Sequence, residues 1–295
     1  MTPPPPDAAW RSAAARWAGA PVTVRDRCPL GGGYVAGGVE RIVLDADGCP
    51  VTVVLKRSRS SEVAAMRAIA VVPGVERPRM IAAGADRHGT WLLLPFYDGP
   101  ALDGGEVPAE VWDVLARVHA HWRGRRPRGV PVVDATWWRG MITKHTLPAV
   151  HGAHARTGDA RLVEAAELLA AWSTDLRVRA ALTLLPRTLT HGDAHRGNVL
   201  LAPDGAVLID WGNARVAPAA LDVATLAAQD APAPAAYTAL VPEATEEVER
   251  LWAQVQVHVQ YLGFAADHLG TERVVEMVDT AARALDALGP ALAAR

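Results

Sequence analysis

The stretch Leu189–Asn213 reads LTHGDAHRGNVLLAPDGAVLIDWGN. It gathers His191, Asp193, Asn198 and Asp210 into one short segment, with four residues between Asp193 and Asn198. Asp210 follows twelve residues after Asn198, at the end of the apolar run Ala206-Val207-Leu208-Ile209. Pro203-Asp204-Gly205 is a turn signal between two apolar runs, so Asn198 to Leu201 and Ala206 to Asp210 are expected to pair as short strands. H-x-D-x-x-x-x-N followed by a strand and an Asp is the working pattern of kinase-type phosphoryl transfer. There the loop Asp orients a hydroxyl and takes its proton, and the Asn and second Asp hold magnesium on nucleotide phosphates. Taken singly, Asp193 also suits a capped turn, Asn198 an Asx turn and Asp210 a strand end.

The rest of the 295-residue chain limits the alternatives. Half of it is apolar and 21% is charged, an ordinary globular composition with room for a large core. Cys28 and Cys49 form no C-x-x-C, which argues against a disulfide framework or a cysteine zinc site and for a reducing compartment. MTPPPPDAAW lacks the basic and apolar regions of a signal peptide, and no apolar run reaches the roughly 18–20 residues of a membrane span. A cytoplasmic protein without a membrane partner is expected. The net charge of −2 is uneven: residues 199–295 carry 5 Lys and Arg against 13 Asp and Glu. Such an acidic final third does not suit nucleic acid. It suits a cationic small molecule, or is simply a set of solvated helix faces.

Periodicity predicts a first helix over Ala8 to Ala18, with Trp10 and Trp17 on one face. Strands follow around Val22 to Val24, Val39 to Leu44 and Val51 to Lys56, the last two joined at Asp47-Gly48. A helix from Ser61 to Val71, capped by Ser60 or Ser61, ends at Pro73-Gly74. Strands around Arg79 to Ala83 and Thr90 to Leu94 precede a break at Asp98-Gly99-Pro100. Beyond it the chain reads as helical over Ala109 to Trp122, Arg161 to Ala181, Glu246 to His268 and from Glu272 onward. The expected class is α+β, with a sheet-rich lobe over residues 1–98 and a mainly helical lobe over 99–295.

With these motifs in place, the chain resembles the aminoglycoside phosphotransferase family, the choline-kinase-like branch of the protein-kinase-like fold. The resemblance spans about residues 22 to 225 and rests on H-G-D-x-H-x-x-N followed by a strand and Ile209-Asp210-Trp211. It implies a two-lobed enzyme that moves the γ-phosphate of ATP, or of GTP, to a hydroxyl of a small molecule, with magnesium. The acceptor classes it implies are aminoglycoside-like antibiotics, sugars and amino alcohols, and antibiotic resistance is one role. A monomer or homodimer is expected. By resemblance Asp193 is the base, Asn198 and Asp210 hold magnesium, and His191 and Asp222 support the loop. Lys56 matches the strand lysine that contacts the phosphates, and Glu62 the helix glutamate that pairs with it. Gly32 and Gly33 fall where the phosphate-covering loop belongs. Pro95 and Tyr97 fall at the hinge, where the Pro95 carbonyl and the Tyr97 N–H would read adenine. His195 lies near the γ-phosphate or faces solvent. Arg196 departs from the proline often found at its position. Asp230, Glu243, Glu246, Trp252, His258 and Tyr261 are acceptor-site candidates by location, whereas Trp137 and Trp138 read as packing.

Each of these has a plainer reading. Lys56 can be a snorkelling lysine at a strand end. Glu62 can be a first-turn glutamate favoured by the helix dipole. The glycine segment can be a hairpin loop. There is no G-x-x-x-x-G-K-[ST] phosphate loop. The lack of D-F-G and A-P-E disfavours a protein kinase. A nucleotide-binding pseudokinase is the alternative from another functional class, disfavoured because all four chemical positions are filled.

Overall fold

The computed structural model describes residues 5–31, 38–229 and 231–295. In the first part of the chain α1 (Asp7–Ala18) precedes β1 (Val22–Pro29), β2 (Val39–Ala46) and β3 (Cys49–Ser58). Then come α2 (Ser60–Ile69), β4 (Ala82–Asp86), β5 (Gly89–Pro95) and α3 (Ala109–Trp122). The middle holds α4 (Ala135–Met141), α5 (Leu147–Thr157), α6 (Arg161–Trp172) and α7 (Leu176–Leu184). Short strands β6 (Thr188–Thr190), β7 (Val199–Ala202), β8 (Gly205–Leu208) and β9 (Arg215–Ala217) follow. The chain finishes with α8 (Ala220–Ala227), α9 (Ala235–Leu240), α10 (Glu247–His268) and α11 (Thr271–Ala293). This is an α+β architecture. Among the described residues, no helix is long and apolar enough to cross a membrane.

Backbone contacts group the chain into two compact units. The first comprises residues 1–118, 127–130 and 196–214, so it runs past the break expected after residue 98 and takes in the β7–β8 hairpin. Its antiparallel sheet has the order β1-β2-β3-β5-β4. Period-2 alternation in β2 and β3 buries Ile42, Leu44, Val53 and Leu55 on one face, where they meet Trp10 and Ala14 of α1. Lys56, one residue beyond Leu55, therefore belongs to the opposite face. Trp10 is buried but Trp17 is 45% exposed, so only one of the two expected facing tryptophans joins the core. Strand β4 begins three residues later than expected. Gly84 lies opposite Trp91, and a Cβ on Gly84 would come within 2.4 Å of the indole. Only glycine lets that ring lie flat on the strand.

The expected serine cap of α2 is not used: Arg59 is the N-cap residue and gives no side-chain cap. Pro100 and Ala101 continue into an edge contact with the hairpin, through Leu201 N–H to Pro100 O (2.9 Å) and Leu102 N–H to Val199 O (2.8 Å). Gly99 is required there, because a Cβ would sit 2.2 Å from the Leu201 carbonyl oxygen.

The second unit comprises residues 119–126, 131–195 and 215–295. Helix α10 is its axis and packs against α11, α5 and α8. The single helix expected over Arg161 to Ala181 is two. Asp175 breaks it, its carboxylate accepting the Arg177 amide (2.7 Å) to start α7. β6 pairs with β9, Thr190 opposite Arg215, which delivers the chain into His191 and Asp193.

Candidate active site

In the first unit the expected phosphate-side residues meet. Lys56 Nζ lies 2.6 Å from Glu62 Oε1 and 3.0 Å from Asp210 Oδ1. Glu62 is buried in the first turn of α2, and its second oxygen accepts the Ser58 hydroxyl. The glutamate is thus held from β3 as well as from its own helix. Burial works against the Lys56 ammonium, but the charges of Glu62 and Asp210 outweigh it and hold its pKa above the ordinary value. Lys56 thus points at two carboxylates and is largely shielded from solvent, with 13% of its side chain exposed.

Asp210 is the exposed member of the trio, with 57% of its side chain open. Its backbone is left-handed, φ 61° and ψ 63°, a conformation costly for a non-glycine residue and often stored at working sites. Trp211 is buried and its indole N–H donates to Leu208 O (3.1 Å), pinning the turn that carries Asp210. Gly212 follows, and a Cβ there would stand 3.2 Å from Asp210 Oδ1. Asp210-Trp211-Gly212 forms a compact turn that leaves the carboxylate room. Asn198 is buried, and its carbonyl accepts the Ile209 N–H (2.8 Å). The hairpin thus sets Asn198 across from the residue preceding Asp210. Among the described residues, no group of three or more His, Cys, Asp or Glu could hold a metal. The donor set of one carboxylate and one amide oxygen fits magnesium, which keeps several waters and takes its remaining oxygens from phosphate.

The other nucleotide-side expectations are less developed. Gly32 and Gly33 lie outside the described residues, as does Asp230. Pro95 ends β5 opposite Val53. The Phe96 amide goes to Thr52 O (3.3 Å), and the Tyr97 hydroxyl accepts the Arg79 amide (2.9 Å). Arg196 donates to Gly105 O (2.7 Å), so this residue anchors the chain after the loop.

In the second unit, the loop bearing Asp193 is braced from beneath. Asp222, fully buried near the start of α8, accepts the amides of His191 (2.7 Å) and Gly192 (2.8 Å) and approaches His119 Nε2 at 3.0 Å. Burial opposes its charge. The His119 hydrogen bond, the nearby imidazoles and the Gly192 amide outweigh that and hold its pKa below the usual carboxylate range. His119 Nδ1 in turn pairs with the Tyr237 hydroxyl at 2.8 Å. His191 is buried, and its Nδ1 accepts the Asp193 amide (3.3 Å). The ring therefore holds the backbone N–H of the residue two positions on. Gly192 has φ 77°, a left-handed geometry in which a side chain is strained.

The Gly192 carbonyl accepts from both Gln260 Nε2 (3.0 Å) and Arg215 Nη2 (3.1 Å), and Arg215 Nη1 donates to Gln260 Oε1 (3.0 Å). Arg215 is buried, with its guanidinium 4.9 Å from the centre of the Trp137 ring. Burial lowers its pKa, opposed by the charges of Tyr261, Asp193 and Asp222. Tyr261 donates its hydroxyl to Asp193 Oδ1. His195 sits beside the base, with its Nε2 3.9 Å from Asp193 Oδ1.

Of the described acceptor candidates, Tyr261 reaches the base. Trp252 is buried in the core, which removes it as a ligand contact. His258 bonds Gln254 O (2.8 Å) and feels the charges of Arg273, Glu276 and Arg283 on α11, so it looks toward that helix. Glu243 is buried and paired with Arg123 (3.0 Å), and Glu246 pairs with Arg295 (2.9 Å). Trp138 is packing, as expected, while Trp137 supports the arginine. Sequence reasoning missed Arg215, Gln260, His119 and Tyr237. Arg215 carried a signal, being one of 5 cationic residues after position 198 and lying five residues beyond Asp210.

The fold has counterparts among solved structures. The choline kinase LicA from Streptococcus pneumoniae superposes with a TM-score of 0.58 at 11% identity, over 95% of this chain and 99% of that one. The same kinase in complex with AMP gives 0.55 at 12% identity, over 92% and 93%. Spectinomycin phosphotransferase APH(9)-Ia, in complex with ADP and spectinomycin, gives 0.56 at 13% identity, over 91% and 93%. No curated protein matches the sequence itself. These likenesses establish a protein-kinase-like fold. The model of the phosphotransferase enzyme family matches residues 35–259, most of the chain, including Lys56, Glu62, Asp193, Asn198, Asp210, Arg215 and Asp222, and the chain belongs to that family.

Proposed function

We propose that this protein transfers the γ-phosphate of ATP to a hydroxyl group of a small molecule, with magnesium. The observation that carries the reading is Lys56 held between Glu62 and Asp210, a cation kept charged and aimed by two carboxylates. A phosphate oxygen can take the place of the exposed Asp210 carboxylate at Nζ. The nucleotides in the choline kinase and spectinomycin phosphotransferase structures support a nucleotide donor here. Asn198 and Asp210 would hold magnesium, which neutralises charge on the phosphates when bound. Lys56 then clamps the phosphates, and Glu62 keeps Lys56 in place. Asp193 accepts a hydrogen bond from the acceptor hydroxyl, orients its oxygen toward the γ-phosphorus and takes its proton as the oxygen–phosphorus bond forms. ADP leaves with the bridging oxygen.

The acidity of residues 199–295 favours a cationic acceptor. Amino alcohols and aminoglycosides share that chemistry. ADP release, measured with magnesium and ATP or GTP over a panel of aminoglycosides, amino alcohols, sugars and fructosamines, tests the reading. The expected result is turnover that depends on an amino-bearing acceptor. Nucleotide binding without turnover across the panel would favour a pseudokinase.

A further inference from the structure

Helix α10 grips the base-bearing loop at two consecutive points. Gln260 donates to the carbonyl of Gly192, and its neighbour Tyr261 donates to the carboxylate of Asp193. Arg215 closes the set by bonding both Gln260 and the same Gly192 carbonyl. A loop aspartate has free rotation about two side-chain bonds, and a carboxylate presents two equivalent oxygens. The Asp222 carboxylate bonds the amides of His191 and Gly192, just ahead of Asp193, and so fixes the main chain leading into Asp193, not the Asp193 carboxylate itself.

We propose that Tyr261 is a positioning residue for Asp193: its hydroxyl donates to Oδ1 and fixes the orientation in which the carboxylate meets the acceptor hydroxyl. This rests on the reading of Asp193 as the base. Proton transfer is then directional. The acceptor O–H proton passes to the Asp193 carboxylate, while the phenol proton stays on Tyr261. The phenol is suited to this because burial, together with the adjacent Asp193 charge, raises its pKa well above the ordinary value, so it stays a donor throughout the working pH range. Tyr261 is therefore not the acceptor contact that its place in the chain suggested. It acts through the base.

The test compares wild type with Tyr261→Phe, which keeps the ring and removes only the hydroxyl. Displacing a reacting group costs about 10–100-fold in rate, so kcat should fall by that factor. KM for nucleotide and acceptor should stay within about twofold, because ground-state binding is untouched. A rise in acceptor KM at constant kcat would overturn the proposal and make Tyr261 a substrate contact. Unchanged kinetics would overturn it too. A second readout needs no turnover. In protein labelled with 13C-tyrosine, a downfield, exchange-protected hydroxyl proton should be present in wild type and missing in both Tyr261→Phe and Asp193→Ala. Its absence from wild type overturns the contact itself. Should wild type phosphorylate no acceptor, the phosphotransferase reading fails and the role at the base falls with it, while the hydroxyl proton still decides whether the two side chains meet.

Discussion

Lys56 and Asp193 are both charged groups to which the proposed phosphoryl transfer gives a role, yet the chain holds them by different means. Lys56 is held by ions: a buried carboxylate on one side and an exposed one on the other. Asp193 is held by a lattice of hydrogen bonds, most of them to backbone groups of its own loop, anchored by the buried charges of Asp222 and Arg215. An ion pair with one exposed partner can trade that partner for phosphate at little cost, because solvent and ligand both compensate the released carboxylate. A buried network cannot be exchanged piecemeal, since each group left without its partner carries a desolvation penalty. The first arrangement can exchange a partner cheaply, and the second cannot.

Removing Asp222 should break the second arrangement most severely. Asp222→Ala strands two loop amides and the His119 ring. It should lower unfolding free energy by about 3–5 kcal/mol, measured by denaturant titration. A loss under about 1 kcal/mol would mean the network is not what holds the loop.

The first arrangement should fail in function instead. Lys56→Met should cut kcat/KM by about 10²–10³-fold with little change in melting temperature, since the lysine's worth is to the phosphates. Steady-state kinetics and a thermal melt on the same sample check it. A strongly destabilised variant would show that the trio is structural.

The smallest effect concerns Glu249, whose carboxylate accepts the Ala220 amide (3.0 Å) near the start of α8, the helix that carries Asp222. Burial, with the charges of Glu243 and Glu246, raises its pKa from 4.5 to about 8. The folded value lies above the unfolded one, so its contribution is fully present below pH 4.5 and is lost as pH rises through about 8. Glu249→Gln should therefore leave the melting temperature unchanged at low pH and raise it by about 2–4 °C in alkaline buffer. Melting curves across pH check this, and parallel curves for the two proteins would contradict it.

The two arrangements were not equally legible. H-x-D-x-x-x-x-N and the hairpin spacing place Asp193, Asn198 and Asp210 because short-range backbone geometry fixes their order. Lys56 and Glu62 follow from strand and helix periodicity together with the family resemblance. The alternation of β2 and β3 and the helices α3, α10 and α11 were readable for the same local reason. What escaped depends on contacts between residues far apart in the chain. Gln260 and Tyr261 reach 68 positions back to Gly192 and Asp193, and His119 reaches 103 positions forward to Asp222. No local pattern distinguishes a half-buried glutamine that grips a loop from one on a solvated face. The serine cap of α2 failed because Arg59 already starts the helix. The break between α6 and α7 lay in a single aspartate amid continuous apolar spacing.

The sharpest test separates binding from transfer in Asp193→Ala. Magnesium-ATP affinity, measured by calorimetry, should stay within about twofold of wild type, because the phosphate-side residues are untouched. Transfer to the acceptor should fall by about 10²–10⁴-fold. Unchanged transfer, or affinity lost in the same proportion, would contradict the division of labour between Lys56 and Asp193.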